Sequence, residues 1–185
     1  MEQQVKLYLI RHGRPSAGFA EARDPGLDEV GRSQAEAVAQ ELAPLGPLSL
    51  VTSPLRRARD TAMPFETLWK VSARIEPAVA EIPTPMSDPQ ARSAWLCAVL
   101  RGRWSDLPEA QQRWRNQLMA TLTGFNMSTV VTTHFIAINT AVGIATGDAR
   151  VICCEPDHCS CTVLEVRDNR LHLVFLGRQR ETQIL

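Results

Sequence analysis

No apolar run in this chain approaches the roughly 20 residues that a bilayer-spanning helix needs. Nor does Met1-Glu2-Gln3-Gln4 open a basic region with a long apolar core, so no signal peptide is expected. Charge of one sign is missing as well. Twenty basic side chains balance 20 acidic ones across 185 residues. Bulk attraction to nucleic acid or to an anionic membrane is therefore not expected. The sequence has no internal repeat, low-complexity tract or interdomain linker. Five cysteines, an odd number without an export signal, read as reduced thiols in a cytoplasmic protein. These exclusions leave one domain over 1–185, long enough to bury a substantial core.

Val5-Lys6-Leu7-Tyr8-Leu9-Ile10 is too short for a helix and reads as a strand buried on both faces. It stops on Arg11-His12-Gly13-Arg14. In open α/β sheets the carboxyl ends of such strands line the ligand crevice. A guanidinium beside an imidazole suits an anion, most simply a phosphate, and Gly13 lets the backbone turn sharply or approach a ligand closely. A surface turn that happens to carry Arg and His would look the same in isolation.

After a loop over 15–26, Asp28 is placed to N-cap a helix reaching about Leu42, with Ala35, Val38, Ala39 and Leu42 on its apolar face. A second apolar run over 48–52 ends in Thr52-Ser53. Ser53 then reads as an N-cap and Pro54 as the first residue of the next helix. A weaker strand is expected over 71–77. From Glu81 the pattern turns irregular, and two helices follow, at about 89–100 and 108–122. This excursion over 83–122 holds three of the four tryptophans and reads as a helical insertion capping the active site. Its five arginines form either a solvated face or, through one of them, a contact to an anionic substrate. A third strand over 127–133 leads to His134, which opens a helix reaching about Ala145 and packing through Ile138, Ala141 and Val142. Strands are expected over 151–154, 160–166 and 171–176, with a hairpin turn at Asp168-Asn169. Alternating strands and helices imply a three-layer α/β/α sandwich on a mostly parallel mixed sheet.

Three segments thus share one pattern, an apolar strand followed by polar or basic residues and a turn or helix start. Neighbouring strands would gather Arg11 and His12, then Ser53 with Arg56 and Arg57, then His134 around one crevice. Helix N-termini at Ser53 and His134 would add free N–H groups suited to phosphate. Arg56 and Arg57, adjacent on a helix, cannot both face the crevice.

Arg11-His12-Gly13, Ser53-Pro54-Leu55-Arg56-Arg57-Ala58-Arg59-Asp60-Thr61-Ala62 and Thr133-His134 resemble the histidine phosphatase superfamily in its phosphoglycerate-mutase-like branch. The first helix, from Asp28 to Ala35, resembles that branch too, and the resemblance runs over about 5–166 with 83–122 unaligned. It implies that His12 is the nucleophile that takes the phosphoryl group. It also implies that Arg11, Arg57 and His134 bind the phosphate, with Gly13 and Ser53 beside them. Glu81 matches the acid that protonates the leaving oxygen and then activates water, with Glu76 and Asp88 as alternatives. Arg57, preceding the Ala of the motif, is the matched arginine. Two departures bear on pocket shape: Arg14-Pro15-Ser16 replaces the usual residues after Arg-His-Gly, and Phe135 stands where Gly commonly follows the second histidine. Arg14 is either a further phosphate contact or a solvated loop residue.

The chemistry agrees with these roles. An imidazole attacks phosphorus only when neutral, and neighbouring arginines disfavour its protonated form. Fixed guanidinium groups stabilise charge on the equatorial oxygens without a metal. The expectation is a metal-independent, cofactor-free phosphatase acting on a small phosphomonoester. The rivals are a phosphoglycerate-type mutase, a phosphatase of protein phosphohistidine, and a non-catalytic phosphate-binding scaffold. A mutase must shield its phosphoenzyme from water, and one modest insertion with eight or nine residues after 176 looks short for that. Cys153-Cys154 and His158-Cys159-x-Cys161 match no common zinc spacing and read as buried free thiols packing as small hydrophobes. Substrate identity and oligomeric state stay open.

Overall fold

The computed structural model describes residues 4–18 and 24–180. Part of the expected loop over 15–26, namely 19–23, lies outside the described residues, as do both extreme termini. Strands β1 (Val5–Arg11), β2 (Ser49–Thr52), β3 (Arg74–Ile75), β4 (Thr129–Thr133), β5 (Cys161–Arg167) and β6 (Arg170–Phe175) form one sheet in the order β3-β2-β4-β1-β5-β6. The four strands from β3 to β1 are parallel, and β5 and β6 close one side as an antiparallel pair. Asp168 and Asn169 have φ of 49° and 60°. Two successive left-handed residues make the two-residue turn whose twist suits a hairpin, as their identity predicts.

The helices are α1 (Glu29–Leu42), α2 (Arg56–Trp69), α3 (Pro89–Leu100), α4 (Glu109–Thr123) and α5 (Phe135–Thr146). Alternation along the strands sorts them into two layers. Leu7, Leu9, Val51 and Val131 pack with Leu96 and Val99 of α3, Trp114, Leu118 and Leu122 of α4 and Ile138 of α5. Ile10, Leu50 and Val130 face the other way, onto Ala35, Val38 and Ala39 of α1 and Ala62 and Phe65 of α2. The three-layer α/β/α sandwich is therefore present. The excursion over 83–122 is part of one layer, with Trp104 and Trp114 stacked at 6.0 Å and buried.

Three local expectations need correction. No strand forms over 151–154, because the N–H groups of Cys153 and Cys154 both go to Oδ1 of Asn139, at 2.8 and 2.9 Å, instead of into a ladder. Of the strand expected over 71–77, only Arg74–Ile75 pairs. Helix α2 starts at Arg56, with extended Leu55 as its N-cap, so Ser53 and Pro54 precede the helix. Asp28 caps α1 as expected, accepting from the Gly31 N–H at 2.7 Å. Among the described residues no helix is long and apolar enough to cross a membrane.

Candidate active site

The carboxyl ends of β2, β4 and β1 lie side by side, and backbone bonds carry the ladder past them. Ser53 N–H donates to Thr132 O at 3.1 Å and His12 N–H to Thr133 O at 2.9 Å. The segments that read from sequence as three separate phosphate-suited ends thus meet in one crevice. A close backbone crossing seats the loop after β1. A Cβ on Gly13 would fall 2.5 Å from Gly31 O, and one on Gly31 would fall 2.1 Å from Arg14 O. Only glycine at both positions permits this approach.

His12 is 6% exposed and is held at both ring nitrogens. Its Nδ1 lies 2.8 Å from Gly13 O. A carbonyl only accepts, so Nδ1 carries the proton and Nε2 the lone pair. Arg57 Nε–H donates to that Nε2 at 3.1 Å. Burial, followed by Arg57, His134 and Arg11, holds the imidazole well below its ordinary value of 6.5. His12 is therefore neutral at pH 7, with its Nε2 lone pair accepting from a guanidinium.

The choice between the adjacent arginines is clear in the structure. Arg57 is 8% exposed and points inward, whereas the Arg56 side chain is 68% exposed and pairs with Asp60 on the next turn. Thr61, one turn after Arg57, links the helix to the β1 loop. Its hydroxyl donates to Arg57 O at 2.7 Å and accepts the Gly13 N–H at 3.0 Å. The motif reading gave Thr61 no role, although its i+4 spacing from Arg57 placed it on the same helix face.

Arg11 is buried with its Nη1 donating to Pro156 O at 2.8 Å and its guanidinium 4.9 Å from the Phe135 ring. Phe135 thus supplies a cation–π platform. Burial lowers Arg11 to about 10, against the raising effect of Glu81, Asp157 and Glu155.

His134, wholly buried as the N-cap of α5, lies 5.2 Å from His12 between ring centroids. Its Nε2 is 2.7 Å from Ser53 Oγ, which also accepts the Leu55 N–H at 3.2 Å. The serine hydroxyl, with one donor and two lone pairs, serves both contacts. The Nδ1 of His134 is buried and has no hydrogen-bond partner among the described residues. Burial, Arg57 and Arg11 hold His134 well below 6.5.

Glu81 is positioned from below. Thr133 Oγ1 donates to Val79 O at 2.6 Å and Glu76 N–H to Thr52 O at 2.8 Å, tying the segment before Glu81 to the strand ends. The Glu81 oxygens accept N–H bonds from Ile82 at 3.1 Å and from Ile136 in the first turn of α5 at 3.3 Å. Burial raises its carboxyl above the ordinary 4.5, while Arg57, those two N–H groups and Arg11 pull it back. The alternatives are engaged elsewhere. Glu76 caps Ala78 N–H and pairs with Arg74, and Asp88 caps α3 through Ala91 N–H.

Arg14 is paired with Asp28 at 2.6 Å and half exposed. Cys154 and Cys159 are buried, Cys153 and Cys161 partly so, and all are free thiols. Cys159 stands outside the strand, in the turn before β5, with φ of 54°. His158, noted in the sequence only as part of the His158-Cys159-x-Cys161 run, lies 5.9 Å from His12 between ring centroids. Among the described residues no three His, Cys, Asp or Glu side chains converge as a metal site would require.

The model of the histidine phosphatase superfamily (branch 1) matches residues 7–179, and the chain belongs to that family. Over 114 residues it is 31% identical to the glucosyl-3-phosphoglycerate phosphatase of Mycobacterium tuberculosis, covering 60% of this chain and 48% of that protein. The chain thus spans about half the length of that curated relative. Mycobacterial hydrolase 1 superposes with a TM-score of 0.72 at 21% identity, over 96% of this chain and 100% of that one. A phosphoserine phosphatase mutant from Entamoeba histolytica, in complex with phosphoserine, gives 0.70 at 19% identity, over 92% and 95%. At such identities these two likenesses concern the fold.

Proposed function

We propose that the protein is a metal-independent phosphatase that hydrolyses a small phosphomonoester through a phosphohistidine on His12. The observation that carries this reading is the fixed tautomer of His12, whose Nε2 lone pair already faces Arg57 at 3.1 Å. An incoming phosphoryl group takes the place of that lone pair's partner, and Arg57 transfers its hydrogen bond to a phosphoryl oxygen. Arg11 and His134 bind the other oxygens, since the buried Nδ1 of His134 has no hydrogen-bond partner among the described residues. Nε2 forms the N–P bond as the ester P–O bond breaks. Glu81, its carboxyl raised by burial, gives its proton to the leaving oxygen. Water then attacks phosphorus and loses its proton to the Glu81 carboxylate, the N–P bond breaks, and inorganic phosphate leaves.

Family membership supports the reaction class, as does the phosphatase named among the relatives. The excursion over 83–122 supports a small substrate. Its Arg92 is buried and close enough to Arg57 to lower that guanidinium, which is consistent with a cap over the crevice.

The test is rapid-quench kinetics with a phosphomonoester labelled at phosphorus. Wild type is expected to accumulate an acid-labile, alkali-stable phosphoprotein that His12→Ala cannot form. Glu81→Gln is expected to lower turnover by about a hundredfold, the scale of a general acid. Label passing quantitatively to a second metabolite instead of to water would establish the mutase. Phosphate binding without any phosphoprotein would establish a scaffold.

A further inference from the structure

The phosphoryl-transfer steps leave one imidazole in the crevice unused. His158 occupies a turn closed by Ser160 N–H donating to Asp157 O at 3.0 Å, and its own N–H donates to Asp157 Oδ1 at 2.8 Å. The turn is pinned to the backbone of Arg11 on both sides. Cys159 N–H donates to Arg11 O at 2.9 Å, and Arg11 N–H to Ser160 O at 3.3 Å. Its next residue, Cys159, is held at φ of 54°. A residue with a Cβ costs about 1 kcal/mol there, and such strain persists where surroundings enforce it, often at functional sites. The turn therefore fixes the His158 backbone beside Arg11.

The His158 ring is half-buried and makes no hydrogen bond to any described residue, although it lies 5.9 Å from the His12 ring at an interplanar angle of 46°. That separation sets the His158 ring beside the His12 ring, where the turn before β5 meets the end of β1. Of the charges around it, Arg11, Arg14 and Arg180 disfavour its protonation and Asp157 favours it. Burial is the largest influence, and the group is lowered to about 4. At neutral pH the ring thus offers one N–H donor and one lone-pair acceptor, both without a partner among the described residues.

We propose that His158 is a specificity-determining residue that hydrogen-bonds a hydroxyl on the leaving group, so that the site prefers phosphorylated polyols over aryl phosphates. The proposal rests on the phosphatase reading above. A hydroxyl both gives and takes a hydrogen bond, which complements a neutral imidazole. A further anionic group would be matched by a guanidinium, and an aryl group would leave both ring nitrogens unpaired.

The experiment compares glycerol 3-phosphate with phenyl phosphate for wild type, His158→Ala, His158→Phe and His158→Asn. Ala and Phe are expected to lower the glycerol-to-phenyl ratio of kcat/KM about tenfold, through KM, with phenyl phosphate kinetics unchanged. Asn, which keeps a donor and an acceptor, is expected to retain most of the ratio. An unchanged ratio in Ala, or parallel losses on both esters, overturns the proposal. Should wild type hydrolyse neither ester, the phosphatase reading is judged by the phosphoprotein experiment above and not by this ratio. The same ratio is then read from Kd by calorimetry, and its persistence in Ala overturns the role of His158.

Discussion

His12 is fixed by Gly13 O on one nitrogen and by Arg57 on the other, so its tautomer and its protonation follow from the same contacts. Attack requires neutral His12, which exists above its lowered pKa, and leaving-group protonation requires Glu81 below its raised one. The expected kcat/KM profile is bell-shaped, with an acid limb well below 6.5 and an alkaline limb above the ordinary carboxylate range. In Glu81→Gln the alkaline limb should vanish while the acid limb stays; persistence of both limbs would assign the acid to another group. At this scale much was legible in the sequence. The motifs named Arg11, His12, Arg57 and His134, and all four converge. Thr61 and His158 were harder to read. Thr61 matters through a hydrogen bond to a loop 48 positions away, and His158 through a turn with nothing chemical in its local pattern.

Helix α5 links the site to the loop that precedes β5. Asn139, wholly buried, donates to Phe135 O at 3.0 Å and accepts both N–H groups of Cys153 and Cys154. Two residues on, Pro156 O receives Arg11. Asn139→Ala leaves two backbone donors without a partner, at a cost of about 3 kcal/mol. Its urea midpoint is expected to fall with an unchanged m-value, and its affinity for inorganic phosphate to weaken as Pro156 shifts. An unchanged midpoint would mean that water replaces the amide. The same residue explains why 151–154 forms no strand. An apolar pattern proposes strand pairing, but a side-chain acceptor from another element took the donors. The start of α2 shifted for a similar reason. Ser53 Oγ does accept an N–H, from Leu55, but it is also bonded to His134, and Leu55 stays extended before Arg56. Local cap signals set where a helix can start, and the partner across the crevice set where it did.

The whole molecule carries three imidazoles lowered by burial, His12, His134 and His158, in one region. Each binds a proton more readily unfolded than folded, so the unfolded state takes up more protons below 6.5 and stability falls as pH is lowered through that range. Glu81 acts in the opposite sense, since its folded value is raised, but it is one group against three. The unfolding free energy from urea titrations is therefore expected to drop between pH 7 and pH 5. A flat profile there would mean that the three imidazoles are solvated in the native state. The sequence by itself determined the apolar strands β1, β2 and β4, the two-faced helix α1, the hairpin turn and the types of residue ending those strands, because these depend on local periodicity and chain chirality. Only the tertiary structure decided that Arg57 Nε bonds His12 Nε2, that Glu81 sits at the first turn of α5, and that His158 lies beside His12. Those outcomes depend on strand order, helix rotation and burial, which arise from packing between segments far apart in the chain.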